Sequence, residues 1–246
     1  MSPVRAIGAS APTRAGSREV PRATVGRLPL YLRALAGLAA QGIRTTSSPQ
    51  LAAATGVGPA QLRKDLSFLG THGTRGVGYD VENLARQLTV ALGLTSQRRV
   101  VIVGLGHLGH ALANYSGLAG RNFAVVGLVD ADPGVIGTTV AGLTVESADQ
   151  LARVVAESGA TIAVISTPAE VAQQVCDVVI GAGVTGVLNF APLAVRVPPE
   201  VDLRVVDLGS ELQILAFHDR RKADLVGAAV DRRDVRRGAR SGLRQV

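Results

Sequence analysis

A glycine-rich turn between an apolar run and a helical pattern constrains this chain more than any other feature. Four branched apolar residues, Val100 to Val103, have the length and composition of a strand buried on both faces. A Gly-x-Gly-x-x-Gly run follows directly and opens a helical pattern that continues to Ser116. Gly104 allows the tight turn, Gly106 lets the backbone approach a pyrophosphate, and Gly109 lets the helix pack closely on the strand. The stretch therefore predicts the start of a nucleotide-binding βαβ unit.

The next apolar run, residues 123–129, ends in Asp130. An acidic side chain about twenty residues after the glycines can accept hydrogen bonds from both ribose hydroxyls of an adenosine, and it repels a 2′-phosphate. The sequence therefore favours NAD, as NADH and NAD+, over NADP. A glycine turn that binds nothing is the alternative. The cofactor contacts predicted in this region are Gly104, Leu105, Gly106, His107, Leu108, Gly109, Asp130 and Asp132.

The charge of the chain is divided unevenly along its length. Residues 1–97 carry a net charge of +7, residues 98–219 carry −6, and residues 220–246 carry +6. A basic N-terminal part before an acidic nucleotide-binding part indicates a polyanion partner at the front, although a solvated charged surface is the alternative. Trp is absent and aromatic residues make up 3% of the chain. The sequence therefore offers no stacking platform for single-stranded nucleic acid.

The N-terminal part has the pattern of a helix-turn-helix. An amphipathic helix from Leu28 to Leu38 precedes a short helix that Ser47 or Ser48 caps, and Gly58-Pro59 opens a third helix that ends at Gly70. Two short helices after a longer one are typical of DNA-binding domains. A small helical bundle with a charged surface is the alternative.

The third helix carries polar side chains opposite its leucine face. Arg is suited to guanine, Gln to adenine, and Lys and Ser to the DNA backbone. The glycine-rich residues 72–80 predict a β-hairpin wing with Arg75 at its tip, and Asp80 is placed to cap a linker helix from Val81 to Leu92. The predicted DNA contacts are Ser48, Gln61, Arg63, Lys64, Ser67, Arg75 and Gly76.

The rest of the chain alternates between strand and helix patterns. An irregular stretch follows Ile136, and the succeeding elements are predicted as a helix at 148–157, a strand at 162–166, a helix at 170–182, and strands at 187–190 and 203–207. Thr167 and Pro168 end a buried strand and should face the cofactor crevice of an open α/β sheet. From Ser210 to about Val230 the pattern is again helical.

Several features limit where the protein works. The single cysteine, Cys176, cannot form an intramolecular disulfide, and no apolar run is long enough to span a bilayer. No His, Cys and Asp cluster has metal-ligand spacing. We expect a cytoplasmic protein with no membrane and no metal partner. The acid-poor first 26 residues could resemble an organellar transit peptide, but a disordered basic arm is the preferred interpretation.

Several of these segments together resemble the Rex family of redox-sensing transcriptional repressors. The resemblance covers the chain from about Arg27 to Gly227, and it depends on the order and spacing of the segments rather than on any one of them. The segments are Tyr31-Leu32-Arg33, Gln61 to Ser67, Arg75 to Tyr79, Val103 to Gly109, and Leu188 to Pro192.

The resemblance implies a homodimer in which the C-terminal helix is exchanged between subunits. It also implies that two winged helices bind an inverted-repeat operator in double-stranded DNA, that NADH releases them, and that NAD+ permits binding. By the same likeness Thr167, Pro168, Asn189, Ala191 and Pro192 lie near the nicotinamide half of the cofactor.

The family also implies a polar network that links the DNA-binding domain, the cofactor and the exchanged helix. Its positions match Arg33, Tyr115 and Asp207. A Phe common after that Asp is Leu208 in this chain, so the side chain that covers the nicotinamide is not assigned.

The predicted fold class is α/β, with an N-terminal winged helix-turn-helix domain, a Rossmann-like NAD(H)-binding domain and a C-terminal domain-swapped helix. The predicted divisions are a disordered arm at 1–26, a winged helix at 27–80, a linker helix at 81–97, the Rossmann domain at 98–208, the exchanged helix at 209–230 and a disordered tail at 231–246.

An NAD-dependent dehydrogenase is the alternative from a different functional class. Such an enzyme needs an acid or base beside its substrate. The nucleotide-binding region has no Lys before Lys222, while His107 and His110 lie at the phosphate loop rather than at the hydride end. We therefore expect no catalytic residues. A coenzyme A site is a third possibility, which Asp130 and the dinucleotide spacing disfavour.

Overall fold

The computed structural model describes residues 20–222, and the chain divides into two compact units between Ser96 and Gln97. Over the described residues 20–96, the first unit contains four helices and two very short strands. In chain order its elements are α1 (Arg22–Ala40), β1 (Thr45–Thr46), α2 (Ser48–Thr55), α3 (Pro59–Phe68), β2 (Tyr79–Asp80) and α4 (Val81–Ala91).

The four helices of the first unit share one apolar core. Their buried side chains include Leu28, Tyr31, Leu35, Leu51, Leu62, Leu66, Val81, Leu84 and Leu88. The last three lie on α4, which begins where the Asp80 side chain accepts from the backbone N–H of Asn83. The linker assigned to residues 81–97 therefore contains a helix that is part of the N-terminal core.

Helix α1 starts earlier than the sequence indicated. It begins at Arg22, so residues 22–26 are helical rather than part of a disordered arm, and residues 1–19 lie outside the described range. The reason is a buried polar contact. The hydroxyl of Thr24, which is 2% exposed, donates to Asp65 Oδ1 at 3.0 Å. Thr24 and Asp65 are 41 positions apart in the chain, so their contact leaves no signal in the local composition.

Asp65 joins α3 to α1 through a buried hydrogen-bond cluster. Its carboxylate accepts from Arg27 Nε at 2.6 Å, from Tyr31 Oη at 2.7 Å and from Gln61 Nε2 at 2.8 Å, in addition to Thr24. Burial opposes ionisation of this fully buried group, but the hydrogen bonds, led by Arg27, outweigh it and hold the pKa of Asp65 well below its usual range. Burial and the bond to Asp65 raise the pKa of Tyr31 to about 12.

The wing differs from the predicted β-hairpin. One isolated bridge between Thr74 and Gly78 closes the turn, and β2 pairs with β1 in antiparallel register instead of with a hairpin partner. Gly78 explains this arrangement, since its φ of +94° and its close approach to the Thr46 carbonyl leave no room for a side chain. The wing therefore packs against the segment that enters α2.

The second unit is a seven-stranded sheet with strand order β5-β6-β4-β3-β7-β8-β9. All neighbouring strands are parallel except β5 and β6. In chain order its elements are β3 (Arg98–Val103), α5 (His107–Ala113), a 3₁₀ turn (Ala119–Arg121), β4 (Phe123–Asp130), β5 (Thr139–Val140), β6 (Leu143–Ser147), a 3₁₀ turn (Ala148–Gln150), α6 (Leu151–Ser158), β7 (Ile162–Ile165), α7 (Ala169–Gly181), β8 (Gly186–Asn189) and β9 (Asp202–Val205).

This order is that of a doubly wound dinucleotide-binding sheet. The chain reverses direction across the sheet between β3 and β7, and ligands bind outside the carboxyl ends of strands at such a point. Val101 and Val103 face a core shared with α6 and α7, while Val100 and Ile102 face the core beside α5. Strands β5 and β6 occupy the stretch after Ile136 that was expected to be irregular.

A helix at residues 208–222 follows β9 and continues to the end of the described range. Every residue from 207 to 222 is exposed, including the apolar side chains Leu208, Leu212, Ile214, Leu215 and Phe217. Leu208, Leu212 and Leu215 form one stripe, whereas Ile214 and Phe217 lie on another side of the helix. The predicted exchanged helix continues to residue 230, and its last eight residues and the tail at 231–246 lie outside the described range.

The Asp65 cluster predicts a specific dependence of stability on pH. Asp65→Asn removes a buried charge that Arg27 and Tyr31 require, so we expect a loss of about 3 kcal/mol at pH 7. The folded pKa lies below the unfolded value of 3.8, so below that pH the unfolded state takes up a proton first and the contribution of Asp65 shrinks. Urea unfolding at pH 7 and pH 3 measures both effects.

Glu82→Gln, at an exposed carboxylate in the first turn of α4, is the control. It should unfold like the wild type at both pH values. An Asp65→Asn variant as stable as the wild type at pH 7 would contradict the assignment of the cluster as the main polar tie between α1 and α3.

Candidate dinucleotide and DNA sites

The glycine turn after β3 is locked in place by backbone contacts. Gly104 has a φ of +91°, and its N–H donates to the Val129 carbonyl at 2.9 Å. A Cβ on Gly109 would collide with the Gly104 carbonyl oxygen. Ser166 Oγ donates to that same oxygen at 2.8 Å. The turn can therefore hold α5 against the strand ends only with glycine at both positions.

Gly106 has the opposite surroundings. It lies at the N-cap of α5, and a Cβ built there would meet no atom within 4 Å. The free N–H groups of a helix N-terminus and open space beside the backbone are the features that a pyrophosphate requires. The loop therefore fits the phosphate-binding role that its sequence predicted.

Asp130, at the end of β4, connects two strand ends through its carboxylate. One oxygen accepts from the backbone N–H of Leu105, and the other accepts from the N–H of Asp132 at 2.8 Å. Asp132 in turn accepts from the N–H of Gly134 at 2.8 Å. These bonds fix the carboxylate in position. In a dinucleotide fold the adenosine ribose binds beside an acidic side chain at this strand end.

A cavity of about 660 Å³ opens at these strand ends, within the range of cofactor pockets. It brings together Gly104, Leu105, Gly106, Asp130, Asp132, Thr167 and Pro168 from the predicted set. Thr167 Oγ1 is buried without a hydrogen-bond partner. A buried hydroxyl usually has a partner, so this orphaned group at the cavity wall fits a polar ligand atom. The residues present therefore fit NAD(H).

Other predicted cofactor residues lie outside this cavity. Asn189 is completely buried, and its amide bonds to the backbone of Ala191 and Leu193. It shapes the loop after β8, while Ala191 is buried and Pro192 is exposed. His107 and Leu108 are exposed in the first turn of α5.

Sequence reasoning missed several residues of the cavity wall. Ala148 and Asp149 follow β6, a strand that was not predicted, and Ser166 immediately precedes Thr167. Val171, Gln174, Val175 and Val178 come from one side of α7. The helical spacing of these four residues is visible in the sequence. It does not identify them as cavity residues, because a helix face that lines a cavity has the same spacing as one that packs into the core.

The DNA-binding residues predicted in the first unit divide into two groups. Ser48, Arg63, Arg75 and Gly76 line a cavity of about 510 Å³ between α3, the start of α2 and the wing, together with Ser47 and His72. Ser47, not Ser48, caps α2, through a capping box with Gln50. Gln61, Lys64 and Ser67 are exposed on the rest of α3 and outside this cavity.

The three residues of the expected polar network are all exposed in the structure. Arg33 lies on α1 of the first unit. In the second unit, the Tyr115 ring packs over Gly117, and Asp207 immediately precedes the helix at 208–222. Asp207 Oδ1 accepts from the N–H groups of Gly209 and Ser210, and bonds from Ser210 hold its pKa below the usual range.

Two negative findings apply to residues 20–222. In that range, no three or more His, Cys, Asp and Glu side chains are grouped to hold a metal ion. Over the same residues, none of the helices combines the length and apolarity that crossing a bilayer requires.

Comparisons with known proteins agree with both units. Residues 19–67 match the family model described as "Putative DNA-binding protein N-terminus", and residues 95–193 match "CoA binding domain". The redox-sensing transcriptional repressor Rex of Streptomyces coelicolor is 58% identical over 213 residues, which cover 87% of this chain and 83% of that protein. The chain belongs to the Rex family.

Solved Rex structures have the same fold. RSP, a Rex-family repressor, was solved in complex with β-NAD+ and operator DNA, and it matches with a TM-score of 0.79 and 30% identity over 86% of this chain and 98% of its own. The complex of RSP with β-NADH matches with a TM-score of 0.77 and 29% identity over 86% of this chain and 99% of its own. The predicted family is confirmed, and so is the predicted α/β fold class with an N-terminal DNA-binding domain and a Rossmann-like domain; the exchange of the C-terminal helix stays a prediction. The relatives are named repressors, so the dehydrogenase alternative is not supported.

Asp130 gives a direct test of the cofactor site. Asp130→Asn removes the charge that repels a 2′-phosphate and one of the acceptors that hold the loop, so NADH affinity should fall about tenfold. The affinity for NADPH should fall less, so the ratio of NADH affinity to NADPH affinity should become smaller. Isothermal titration with both cofactors measures this.

Asp177→Asn is the matched control, because Asp177 is exposed on α7 and bonds to Gln173 outside the cavity. It should bind both cofactors like the wild type. Equal losses of NADH and NADPH in Asp130→Asn would mean that the carboxylate only supports the loop.

Proposed function

We propose that this Rex protein represses transcription by binding operator DNA through its N-terminal unit and leaves the operator when NADH fills the cavity at Gly104 to Gly109. The observation that carries the proposal is the presence, in one chain, of a basic helix-turn-helix unit and a dinucleotide cavity that ends at Asp130. RSP, a relative of the same fold, binds β-NAD+, β-NADH and operator DNA. A repressor of this kind works in the cytoplasm, where the operator and the cofactor pool meet.

The DNA contacts follow from the placement of α3 and the wing. Arg63 and Arg75 line the same cavity, so one face of α3 and the wing would contact the same stretch of duplex. Arg63 is suited to guanine in the major groove, Arg75 to the minor groove or a phosphate, and Ser48, Lys64, Ser67 and Gly76 to the backbone. Gln61 reads a base from the first turn of α3.

The cofactor contacts divide along the cavity. The loop from Gly104 to Gly109, which includes His107 and Leu108, would bind the pyrophosphate, while Asp130 and Asp132 would bind the adenosine ribose. Thr167 and Pro168 would lie at the nicotinamide half. Asn189, Ala191 and Pro192 act there through the loop that Asn189 holds, because the Asn189 amide is already fully engaged.

The exposed helix at 208–222 supports the proposal of a homodimer. Apolar side chains on two sides of a helix are normally buried between two layers, and in a single chain these side chains are more than half exposed. We assign a second copy of this chain as the cover, with the helix exchanged between subunits. An inverted-repeat operator then matches the two-fold symmetry of the dimer.

The switch depends on the distance between two recognition helices. They must lie roughly 34 Å apart to enter successive major grooves, so a modest rotation between subunits would release the operator. Reduction removes the positive charge of the nicotinamide. Asp207, at the start of the exchanged helix, would therefore change its partners within a network with Arg33 and Tyr115.

The function is tested by fluorescence anisotropy on DNA from upstream of the protein's own gene and of respiratory genes, at fixed salt. We expect a specific complex that NADH in the micromolar range dissociates and that NAD+ leaves intact. Cofactor binding without any specific DNA complex would contradict the proposal and would favour a different partner.

The dimer is tested by charges on the exposed helix. Leu212→Glu with Leu215→Glu should give a monomer by light scattering and weaken operator binding at least tenfold, because one half-site remains. Glu211→Gln with Arg220→Gln on the same helix is the control and should remain dimeric. A dimer that survives both glutamates would assign the interface elsewhere.

A further inference from the structure

We propose that Asp65 acts as a positioning residue that holds the Gln61 side-chain amide in one of its two orientations, so that Gln61 reads adenine and rejects a base with an oxygen at position 6. The inference rests on the proposed reading of DNA by α3 and adds the rule by which one residue discriminates. It follows from the hydrogen-bond cluster between α1 and α3.

Asp65 can only accept hydrogen bonds. It is fully buried, and its ionised form is stabilised by Arg27, whose Nε and Nη2 donate at 2.6 and 2.8 Å. An ionised carboxylate has no proton to give. Any group that contacts it must therefore present a donor.

Gln61 meets this carboxylate with its amide nitrogen. Gln61 Nε2 donates to Asp65 Oδ1 at 2.8 Å, one helical turn along α3. Rotating the amide by 180° would place Gln61 Oε1 against Asp65 Oδ1, and two acceptors at that distance repel each other. The carboxylate thus removes the second orientation that a free glutamine amide has.

The orientation decides what Gln61 offers to DNA. Gln61 is exposed in the first turn of α3, the part of a recognition helix that contacts base edges. One amide hydrogen is committed to Asp65, which leaves the carbonyl oxygen and the second hydrogen. Adenine matches both, because its N6 amino group donates and its N7 accepts.

Guanine does not match this arrangement. It presents two acceptors in the major groove, N7 and O6, and O6 would face the Gln61 carbonyl oxygen. A free amide could turn its NH₂ group toward O6 and tolerate the change. An amide held by Asp65 cannot turn in this way. The protein should therefore bind a base with an oxygen at position 6 more weakly than a base with no substituent there.

The experiment compares three bases at each adenine of an operator that the wild-type protein selects from random DNA. The bases are adenine, unsubstituted purine, which lacks the amino group, and hypoxanthine, which carries an oxygen at position 6. At one adenine of each half-site we expect purine to bind about fivefold more weakly than adenine, and hypoxanthine about fivefold more weakly than purine.

Two variants separate this rule from a structural effect. Gln61→Met has no amide, so at that position it should keep only the differences that come from the weaker pairing of purine and hypoxanthine with thymine, and the wild-type differences are measured relative to this variant. Asp65→Asn, which allows the amide to turn, should bind hypoxanthine at least as well as purine. Lys64→Met on the same helix should weaken binding to all three DNAs by one common factor.

The outcomes decide the inference even if Asp65→Asn does not fold. If the wild-type protein binds hypoxanthine as well as purine at every adenine, the Gln61 amide turns freely. That result would overturn the inference. Retention of the full wild-type differences in Gln61→Met also overturns the inference, because another residue then reads the base. Failure of the wild type to select any sequence would instead overturn the proposed function itself.

Discussion

The hydrogen bond from the Leu105 backbone N–H to the Asp130 carboxylate connects the glycine turn of β3 to the end of β4. The dinucleotide cavity depends on this connection, because both the glycine turn and the Asp130 carboxylate line it. Gly109 and Ser166 hold the same turn from the other side through the Gly104 carbonyl. The turn is thus held by contacts within the protein, which lowers the cost of ordering it on binding.

The first unit uses the same principle with a different carboxylate. Asp65 orders α1 and α3 as Asp130 orders two strand ends; four side chains donate to Asp65, and two backbone N–H groups donate to Asp130. Asp65 is completely buried, so removing it leaves Arg27 and Tyr31 without their partner. Asp130 remains at the cavity wall, where it can also meet a ligand. In the proposed function, Asp65 would support recognition indirectly, whereas Asp130 would contact the cofactor itself.

The local signals of the sequence were sufficient for the glycine turn, Asp130 and the helix-turn-helix, because each depends on neighbours within one turn or strand. They were insufficient where burial comes from distant contacts. Thr24 looked like part of a polar arm, yet it contacts Asp65, 41 positions away. Strand β6 has a short polar pattern, Leu143 to Ser147, and becomes a strand by pairing with β4. The family resemblance placed Asn189 near the nicotinamide half of the cofactor, but the following loop uses its amide.

We propose that NADH and operator DNA favour different arrangements of one dimer. Linkage requires that the factor by which NADH weakens DNA binding equals the factor by which DNA weakens NADH binding. The most direct test is therefore NADH affinity measured by titration with and without saturating operator, beside DNA affinity measured with and without saturating NADH. We expect two equal factors, well above one. An NADH affinity that operator DNA leaves unchanged would contradict it.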